Sequence, residues 1–365
     1  MINLHLFHGR SFVEIVKKDF EFLDTENLFI ILEDHGIQSV NETIQKINDL
    51  QKEKGIRNLI IHNLDGSKAK IVNRIDINYN VHWCTWGYDI YNTHFGFRIR
   101  QFLSDKTLQV IGIKKMNPNI MYKVRNPLAR KILLRAYRVL RRENHFYTEI
   151  ESALFKMNTV SCVLPEEFEI VAKKIKSVKF RPYSYGTIES IIPEKLVGFD
   201  SRKLGTKILI GNSSSVSNNH ADVFEKLGSK YQMIAPVSYG DTNYKEALME
   251  KYPGKNIEYL LDFMEYDAYL KKLTEANTFI MNVYRQQGMA NLNVALYLGM
   301  RVYLSPKNIA FTFYKELGIH IFSFPDDFSK YENSPLSDEQ IQDNRAGLEK
   351  YYGREASQKR ILAFQ

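Results

Sequence analysis

The chain has 365 residues, 44% hydrophobic and 25% charged, an ordinary globular composition. At about 150 residues per domain that length predicts two or three domains. Its two cysteines, Cys84 and Cys162, exclude a disulfide scaffold and a four-cysteine zinc site, and suit a reducing cytoplasm. The net charge of +8 points to anionic partners: nucleotides, nucleic acid or an acidic membrane surface.

The opening MINLHLFHGRSF reads as a strand, not as a signal peptide. No window offers about eighteen uninterrupted apolar residues, so no membrane-spanning helix is expected. Ile2 to Phe7 predicts a strand, Phe12 to Phe22 a helix, and Leu28 to Leu32 a second strand. Val40 to Lys54 predicts a helix, and Leu59 to His62 a third strand. This alternation predicts a parallel sheet covered on both faces. Asn80 to Thr85 adds a strand that ends at the turn Trp86-Gly87.

Between Asp105 and Glu143 there is no acidic residue, while Lys106, Lys114, Lys115, Lys123, Arg125, Arg130, Lys131, Arg135, Arg138, Arg141 and Arg142 fall inside. Pro127 suits the first turn of a helix there. At 100° per residue, the cations from Arg130 to Arg142 occupy roughly 0 to 140°. Leu128, Ile132, Leu133, Ala136, Tyr137, Val139 and Leu140 occupy roughly 160 to 340°, with Leu134 the exception. Such a basic amphipathic helix suits an anionic membrane surface, with Arg130, Lys131, Arg135, Arg138 and Arg142 as its contacts. It equally describes a surface helix that buries its apolar face.

Arg181 to Gly186, with Ile191 to Gly205, reads as an interdomain linker. The alternation then restarts. Strands are expected at Lys207 to Ile210, Gln232 to Pro236, Thr278 to Val283 and Arg301 to Leu304. Helices are expected around Tyr244 to Lys251, Tyr266 to Asn277 and Met289 to Leu298, with a largely helical tail from Ser337 to Phe364. Two such sheets, each binding ligand outside its carboxyl strand ends, give an α/β architecture of two Rossmann-like domains facing across a cleft. The expected division is 1–190, 191–345 and a C-terminal helix, 346–365, that packs back on the first domain.

Four places carry candidate chemistry. Gly211, Asn212 and Ser213 leave a strand into a turn where a ligand can approach the backbone, although Gly-Asn-Ser is also common turn chemistry. Arg285, Gln286, Gln287 and Gly288 join a strand to a helix, combining a fixed charge with outward helix amides suited to a diphosphate. Tyr239 and Gly240 end another strand and suit a base or sugar. Glu265 and Tyr266 open a helix, where acidic residues also simply suit the dipole. In the first half, Val81 to Tyr91 holds both tryptophans, together with His82 and Asp89. Asp89, ionised at neutral pH, is a candidate general base, as are His82 and His8. The competing readings are that the tryptophans pack and Asp89 caps a helix from Ile90. No phosphate-loop, nucleophile-elbow or His-Glu-x-x-His pattern occurs.

Gly211-Asn212-Ser213, Ser217-Asn218-Asn219-His220, Glu265-Tyr266-Asp267-Ala268-Tyr269-Leu270 and Arg285-Gln286-Gln287-Gly288 together resemble glycosyltransferase family 56, the 4-acetamido-4,6-dideoxygalactose (Fuc4NAc) transferases. Trp86-Gly87-Tyr88-Asp89-Ile90-Tyr91 resembles a tryptophan element of the same family. The likeness is strong over Lys207 to Ser305 and patchy before it. It implies a GT-B fold and metal-independent transfer with no cofactor. The implied donor is a dTDP- or UDP-linked, Fuc4NAc-like sugar. The implied acceptor is a polyprenyl-diphosphate-linked saccharide of bacterial surface polysaccharide synthesis, at the inner face of the cytoplasmic membrane. It places Gly211 to Ser213 at the donor, Arg285 to Gly288 at the leaving diphosphate, and Asp89 or His8 at the acceptor. A nucleotide-sugar epimerase or hydrolase on the same fold is the alternative enzyme reading. Nucleic-acid binding by the basic stretch is the non-enzymatic one.

Overall fold

A computed structural model describes residues 1–10, 12–76, 78–112, 124 and 126–365. The chain divides into two compact units, one of residues 1–97, 117–186 and 355–365, the other of 98–116 and 187–354. The boundary thus falls at 186, not 190, and the terminal segment that joins the first unit begins at 355, not 346. The stretch read as linker is partly structural. Tyr183 and Tyr185 pack in the first unit, where the Tyr183 hydroxyl donates to Asp19 Oδ2 at 2.9 Å and the Tyr185 hydroxyl lies 2.8 Å from His62 Nδ1.

The first unit is a six-stranded sheet of β1 (Ile2–His8), β2 (Asn27–Leu32), β3 (Ile56–His62), β4 (Asn80–Cys84), β5 (Thr159–Ser161) and β6 (Lys179–Phe180). The order is β2-β1-β3-β4-β5-β6, with parallel pairing throughout. Helices Val13–Phe20, Ile37–Glu53 and Gly66–Arg74 supply the crossovers among the first four strands. The chain leaves β1 for β2, returns past it to β3, and so makes a topological switch beside β1, where open sheets hold ligands.

The interior of this sheet is crossed by a row of polar side chains. Asn3 Nδ2 donates to Asn27 Oδ1 at 3.1 Å, Asn58 Nδ2 to Asn3 Oδ1 at 2.7 Å, Asn80 Nδ2 to Asn58 Oδ1 at 2.9 Å and to Thr159 Oγ1 at 3.2 Å. The register Asn27↔Asn3↔Asn58↔Asn80 places the four amides side by side across β2, β1, β3 and β4. His5 Nδ1 meets His62 Nε2 at 3.0 Å two positions further along β1. Each buried amide has a partner, which removes most of the cost of its burial.

The second unit holds β7 (Lys207–Ile210), β8 (Met233–Pro236), β9 (Ile257–Leu260), β10 (Ala276–Met281), β11 (Arg301–Leu304) and β12 (Ile321–Ser323), all parallel in the order β12-β11-β10-β7-β8-β9. Its switch point lies between β7 and β10. The helix expected to reach Asn277 ends at Leu273, and Ala276 already pairs with Lys207. Helix Asp105–Ile111, from the first half of the sequence, belongs here: Val110 and Ile111 pack on the core of Phe224, Tyr244 and their neighbours. Ser104 N donates to Asn219 Oδ1 at 2.9 Å, and the Ser104 hydroxyl donates to Asp222. No helix among the described residues is long and apolar enough to cross a membrane.

Candidate active site

The residues expected at the donor converge at the β7/β10 switch. Gly211 turns with φ +65°, and a Cβ there would lie 2.5 Å from His220 Nε2, so the turn needs glycine for both reasons. Asn212 is the hub. Its Nδ2 donates to the Tyr239 hydroxyl at 3.2 Å, and its Oδ1 accepts from Gln287 Nε2 at 3.2 Å. Gln287 Oε1 accepts from the Ser217 hydroxyl at 2.6 Å, and Asn219 Nδ2 donates to Asn282 O at 2.9 Å. Loops after β7, β8 and β10 are thereby tied into one body. Ser214 bridges Gly240 on the β8 side.

Gly288, at φ +67°, precedes helix Met289–Leu298 without a side-chain cap. The first-turn amides of that ten-residue helix therefore keep no side-chain acceptor, the arrangement that attracts anions. A Cβ on Gly288 would lie 3.1 Å from Asn212 Nδ2, which brings the two loops into contact. Arg285 Nη1 donates to Gln286 O at 2.9 Å, holding the guanidinium at this loop. Gln286 Oε1 and His220 Nε2 are buried without hydrogen-bond partners among the described residues. Burial lowers the His220 pKa to about 3, so the ring is neutral. Tyr239 stays half exposed at 51%.

Glu265 and Tyr266 are exposed. The Tyr266 hydroxyl donates to Ile191 O at 2.6 Å, and Glu265 makes no side-chain cap. Tyr269 links Tyr266 to Tyr239 indirectly: burial, then the neighbouring Tyr239 and Tyr266, raise its pKa.

The three acid–base candidates of the first unit separate. Asp89 is 4% exposed, and its carboxylate accepts from Leu64 N at 3.1 Å, Trp83 Nε1 at 3.0 Å and Trp86 N at 2.8 Å. This carboxylate ties β3, β4 and their loops together, and burial raises its pKa against those bonds. It caps no helix, since Ile90 and Tyr91 close a turn on Gly87 O. His82 is fully buried, with Nδ1 2.8 Å from Thr159 Oγ1 and Nε2 2.9 Å from Ser161 Oγ. Both ring nitrogens are spent, and burial drives its pKa well down. Neither group is placed to take a proton from an acceptor.

His8 ends β1 at the switch, and its side chain is 21% exposed. Its Nδ1 is buried without a hydrogen-bond partner among the described residues and lies 3.8 Å from Asp65 Oδ2. Asp65, after β3, is fixed by Ser67 N at 2.9 Å, Lys68 N at 3.0 Å and Lys68 Nζ at 2.9 Å. Lys68 is wholly buried, donating also to His62 O at 2.9 Å and to Asn63 Oδ1. His35, after β2, stacks on His8 with ring centroids 3.8 Å apart and meets Ser67 Oγ at 3.0 Å. Burial first, then His35, lowers the His8 pKa. Donor atoms of His8, His35 and Asp65 lie within 4.8 Å of one another, though the Lys68 ammonium already meets the Asp65 charge. Sequence reasoning missed His35, Asp65 and Lys68, because they reach His8 from two other strand ends, those of β2 and β3.

The basic run divides. Lys106 pairs with Glu225 at 2.7 Å in the second unit, while Lys114, Lys115, Lys123 and Arg125 lie outside the described residues. Helix Pro127–Arg141 forms, capped by Asn126, with none of its residues buried. Arg130, expected at a membrane, instead turns inward. It donates to the Tyr147 hydroxyl at 2.7 Å and Val124 O at 2.6 Å, with its guanidinium 5.0 Å from the Tyr147 ring centroid. Lys131, Arg135, Arg138 and Arg142 are exposed.

Residues 191–346 match the family model described as 4-alpha-L-fucosyltransferase, glycosyl transferase group 56. Several solved structures resemble the whole chain. Sucrose-phosphate synthase from Thermosynechococcus elongatus aligns at 8% identity and TM-score 0.55, over 100% of this chain and 95% of that one. The starch synthase IV catalytic domain from Arabidopsis thaliana, bound to ADP and acarbose, aligns at 8% identity and TM-score 0.55, over 100% and 98%. The lipopolysaccharide outer core galactosyltransferase WaaB, in apo form, aligns at 8% identity and TM-score 0.52, over 100% and 99%. At such identities these structures speak for the fold alone, the GT-B class of two parallel-sheet α/β units. The matched segment contains all the expected donor residues, whereas His8, Asp89 and helix Pro127–Arg141 lie outside it.

Proposed function

We propose that this glycosyltransferase, whose residues 191–346 match group 56, moves a Fuc4NAc-like sugar from a dTDP or UDP donor. The acceptor is a polyprenyl-diphosphate-linked saccharide at the inner face of the cytoplasmic membrane, in surface polysaccharide synthesis. The observation that carries the reading is the β7/β10 switch, where uncapped amides of helix Met289–Leu298, Arg285 and two positive-φ glycines meet. Open α/β sheets bind ligands at that position, and a diphosphate suits the donors found there.

The leaving group is then a nucleoside diphosphate. As the anomeric C–O bond breaks, its electron pair goes to the diphosphate oxygen, and Arg285 and the helix amides stabilise the added charge. Gly211 and Gly288 permit close backbone approach. Asn212, held by Tyr239 and Gln287, keeps the loops in register, and the half-exposed Tyr239 ring offers a face to the base or sugar.

His8 acts as the base. With its proton on Nδ1, toward Asp65, the lone pair sits on Nε2. That nitrogen takes the acceptor hydroxyl proton as the oxygen attacks the anomeric carbon. Asp65 stabilises the imidazolium formed, and Lys68 holds Asp65 in place. A direct displacement of this kind inverts the anomeric centre.

The test is a titration of dTDP and UDP into the protein and its Arg285→Ala variant, joined to an anomeric assignment of the product. Weakened diphosphate binding and an inverted product are expected. Unchanged affinity removes Arg285 from the site, and a retained anomer removes His8 as base. Donor turnover without any acceptor would favour the epimerase or hydrolase reading.

A further inference from the structure

Helix Pro127–Arg141 has an outward surface that the described residues of its own unit leave uncovered. Its inner side is fixed by Arg130 on Tyr147, and by Tyr137, whose hydroxyl lies 3.5 Å from Glu143 Oε1 and whose ring lies edge-on to His145 at 4.9 Å. That anchoring sets the rotation of the helix. Counting roughly 100° per residue from Leu128, the anchors Tyr137 and Arg130 fall at about 180 and 200°. Leu128, Val139 and Ile132 fall at about 0, 20 and 40°, on the opposite side, and Leu140 at about 120°, on the flank. Those four are 70%, 78%, 67% and 81% exposed. Arg138, Lys131, Arg142 and Arg135 fall at about 280 to 340°, bordering the same stripe. The apolar arc of the sequence is therefore split. Leu133, Leu134 and Tyr137, half-buried, face the protein, and Leu128, Ile132, Ala136, Val139 and Leu140 are exposed.

No acidic residue interrupts Asn126 to Arg142. We infer that this outward face lies on an anionic lipid bilayer, with Leu128, Ile132, Val139 and Leu140 entering the headgroup–acyl boundary and Lys131, Arg135, Arg138 and Arg142 meeting lipid phosphates. Charge selects this occupant. A second copy of the chain would bring like charges together. A nucleic acid would match the cations but leave four protruding aliphatic side chains against its polar backbone. An interfacial helix needs both features side by side. The inference deepens the membrane part of the proposed function by naming the docking face, and it rests on that reading for the location of the acceptor.

The experiment is co-sedimentation of the full chain with phosphatidylcholine vesicles, with and without phosphatidylglycerol. Binding is expected only with the anionic lipid and should weaken as salt rises. Two triple variants, Lys131→Gln/Arg135→Gln/Arg138→Gln and Leu128→Ser/Ile132→Ser/Val139→Ser, should each lose at least about tenfold in vesicle affinity. A control pair, Lys46→Gln/Lys52→Gln, removes exposed cations from another helix and should change nothing. Val139→Trp should show a blue-shifted emission on anionic vesicles alone. Equal binding to both lipids, unchanged affinity in the triple variants, or a Val139→Trp emission indifferent to lipid overturns the inference. Transfer to a soluble saccharide acceptor, measured in parallel, separates the two ideas. If that transfer persists while vesicle binding is absent, only the docking face falls; if it fails while binding holds, only the sugar-transfer reading does.

Discussion

The two sheets solve the same topological problem with different interiors. In the second unit the strands are near-continuous apolar runs, such as KILI in β7 and RVYL in β11, as a parallel sheet covered on both faces requires. Lys207, Glu258, Asn277, Thr278 and Arg301 lie within its strands, but the polar residues of its candidate site gather past the strand ends, at Asn212, Gln286, Gln287 and Asn218. In the first unit, Asn3, Asn58, Asn80, His5, His62 and His82 lie within the strands and satisfy one another across the sheet. A polar residue is therefore a signal of chemistry only relative to where its strand ends. His82 and His8 are both strand histidines, but one sits mid-sheet between Thr159 and Ser161, and the other at the last position of β1.

The sharpest way to break this contrast is to compare those two. His8→Ala should lower kcat by about 10²- to 10⁴-fold, the usual worth of a general base, with little change in unfolding. His82→Ala should instead destabilise the first unit by about 2 kcal/mol, by opening a cavity in the sheet and removing one partner from each of two buried hydroxyls. A dead but stable His82→Ala enzyme would reverse the assignment. Next in size is Asn58→Leu, which strands Asn3 Oδ1 and leaves Asn80 Nδ2 with Thr159 Oγ1 alone. It should cost about 3 kcal/mol in urea unfolding while leaving nucleotide binding by the folded protein intact.

Arg285→Ala tests the other sheet. A lost charge-assisted contact should weaken diphosphate binding by about 10- to 100-fold, read by calorimetry, at no cost in stability. A fourth test is pH. Burial lowers the pKa of His5 to about 4, of His220 to about 3, and those of His62 and His82 well below the usual value. The unfolded chain takes up protons near pH 6.5 that these folded rings refuse. Their contribution is complete above about pH 6.5 and is lost as the pH falls toward 4, at about 1.4 kcal/mol per pH unit for each ring. Asp19 has the opposite sign. Burial raises its pKa to about 6, so acidification relieves it and offsets part of the loss. Urea midpoints should fall between pH 7 and 5, and a flat profile would show that these rings are not shielded from water. Smallest of all, Glu265→Ala should change donor affinity by less than about threefold, since the exposed Glu265 carboxylate acts mainly on the helix dipole.

The strand ends of the second unit are legible because glycines and hydroxylated residues punctuate long apolar runs. Gly211 and Gly288 are visible in the sequence for the same reason that they are needed in the fold. Short strands such as Thr159–Ser161 and Lys179–Phe180 carry too few residues to show a period. The cluster around His8, proposed to hold the base, is half legible. His8-Gly9 marks a strand end, and Asp65 before Gly66-Ser67 has the form of an N-cap, which it is. Their meeting with His35 depends on the order β2-β1-β3, which local spacing does not encode. Arg130 departs from the expected membrane face because a helical wheel sorts residues by angle but leaves open which arc faces the protein. Tyr147 and Val124 decide that, through contacts outside the helix.

The polypeptide passes between the two bodies four times, at 97/98, 116/117, 186/187 and 354/355. No single scission yields either body whole. A fragment of 187–354 would lack the Val110 and Ile111 side chains that rest on Phe224 and Tyr244, and one ending at 186 would lack Phe364, wedged against Phe20 with ring centroids 5.3 Å apart. Each half of the molecule is completed by sequence borrowed from beyond the other, so independent expression of either should give an unfinished core, and the two are expected to mature together or not at all.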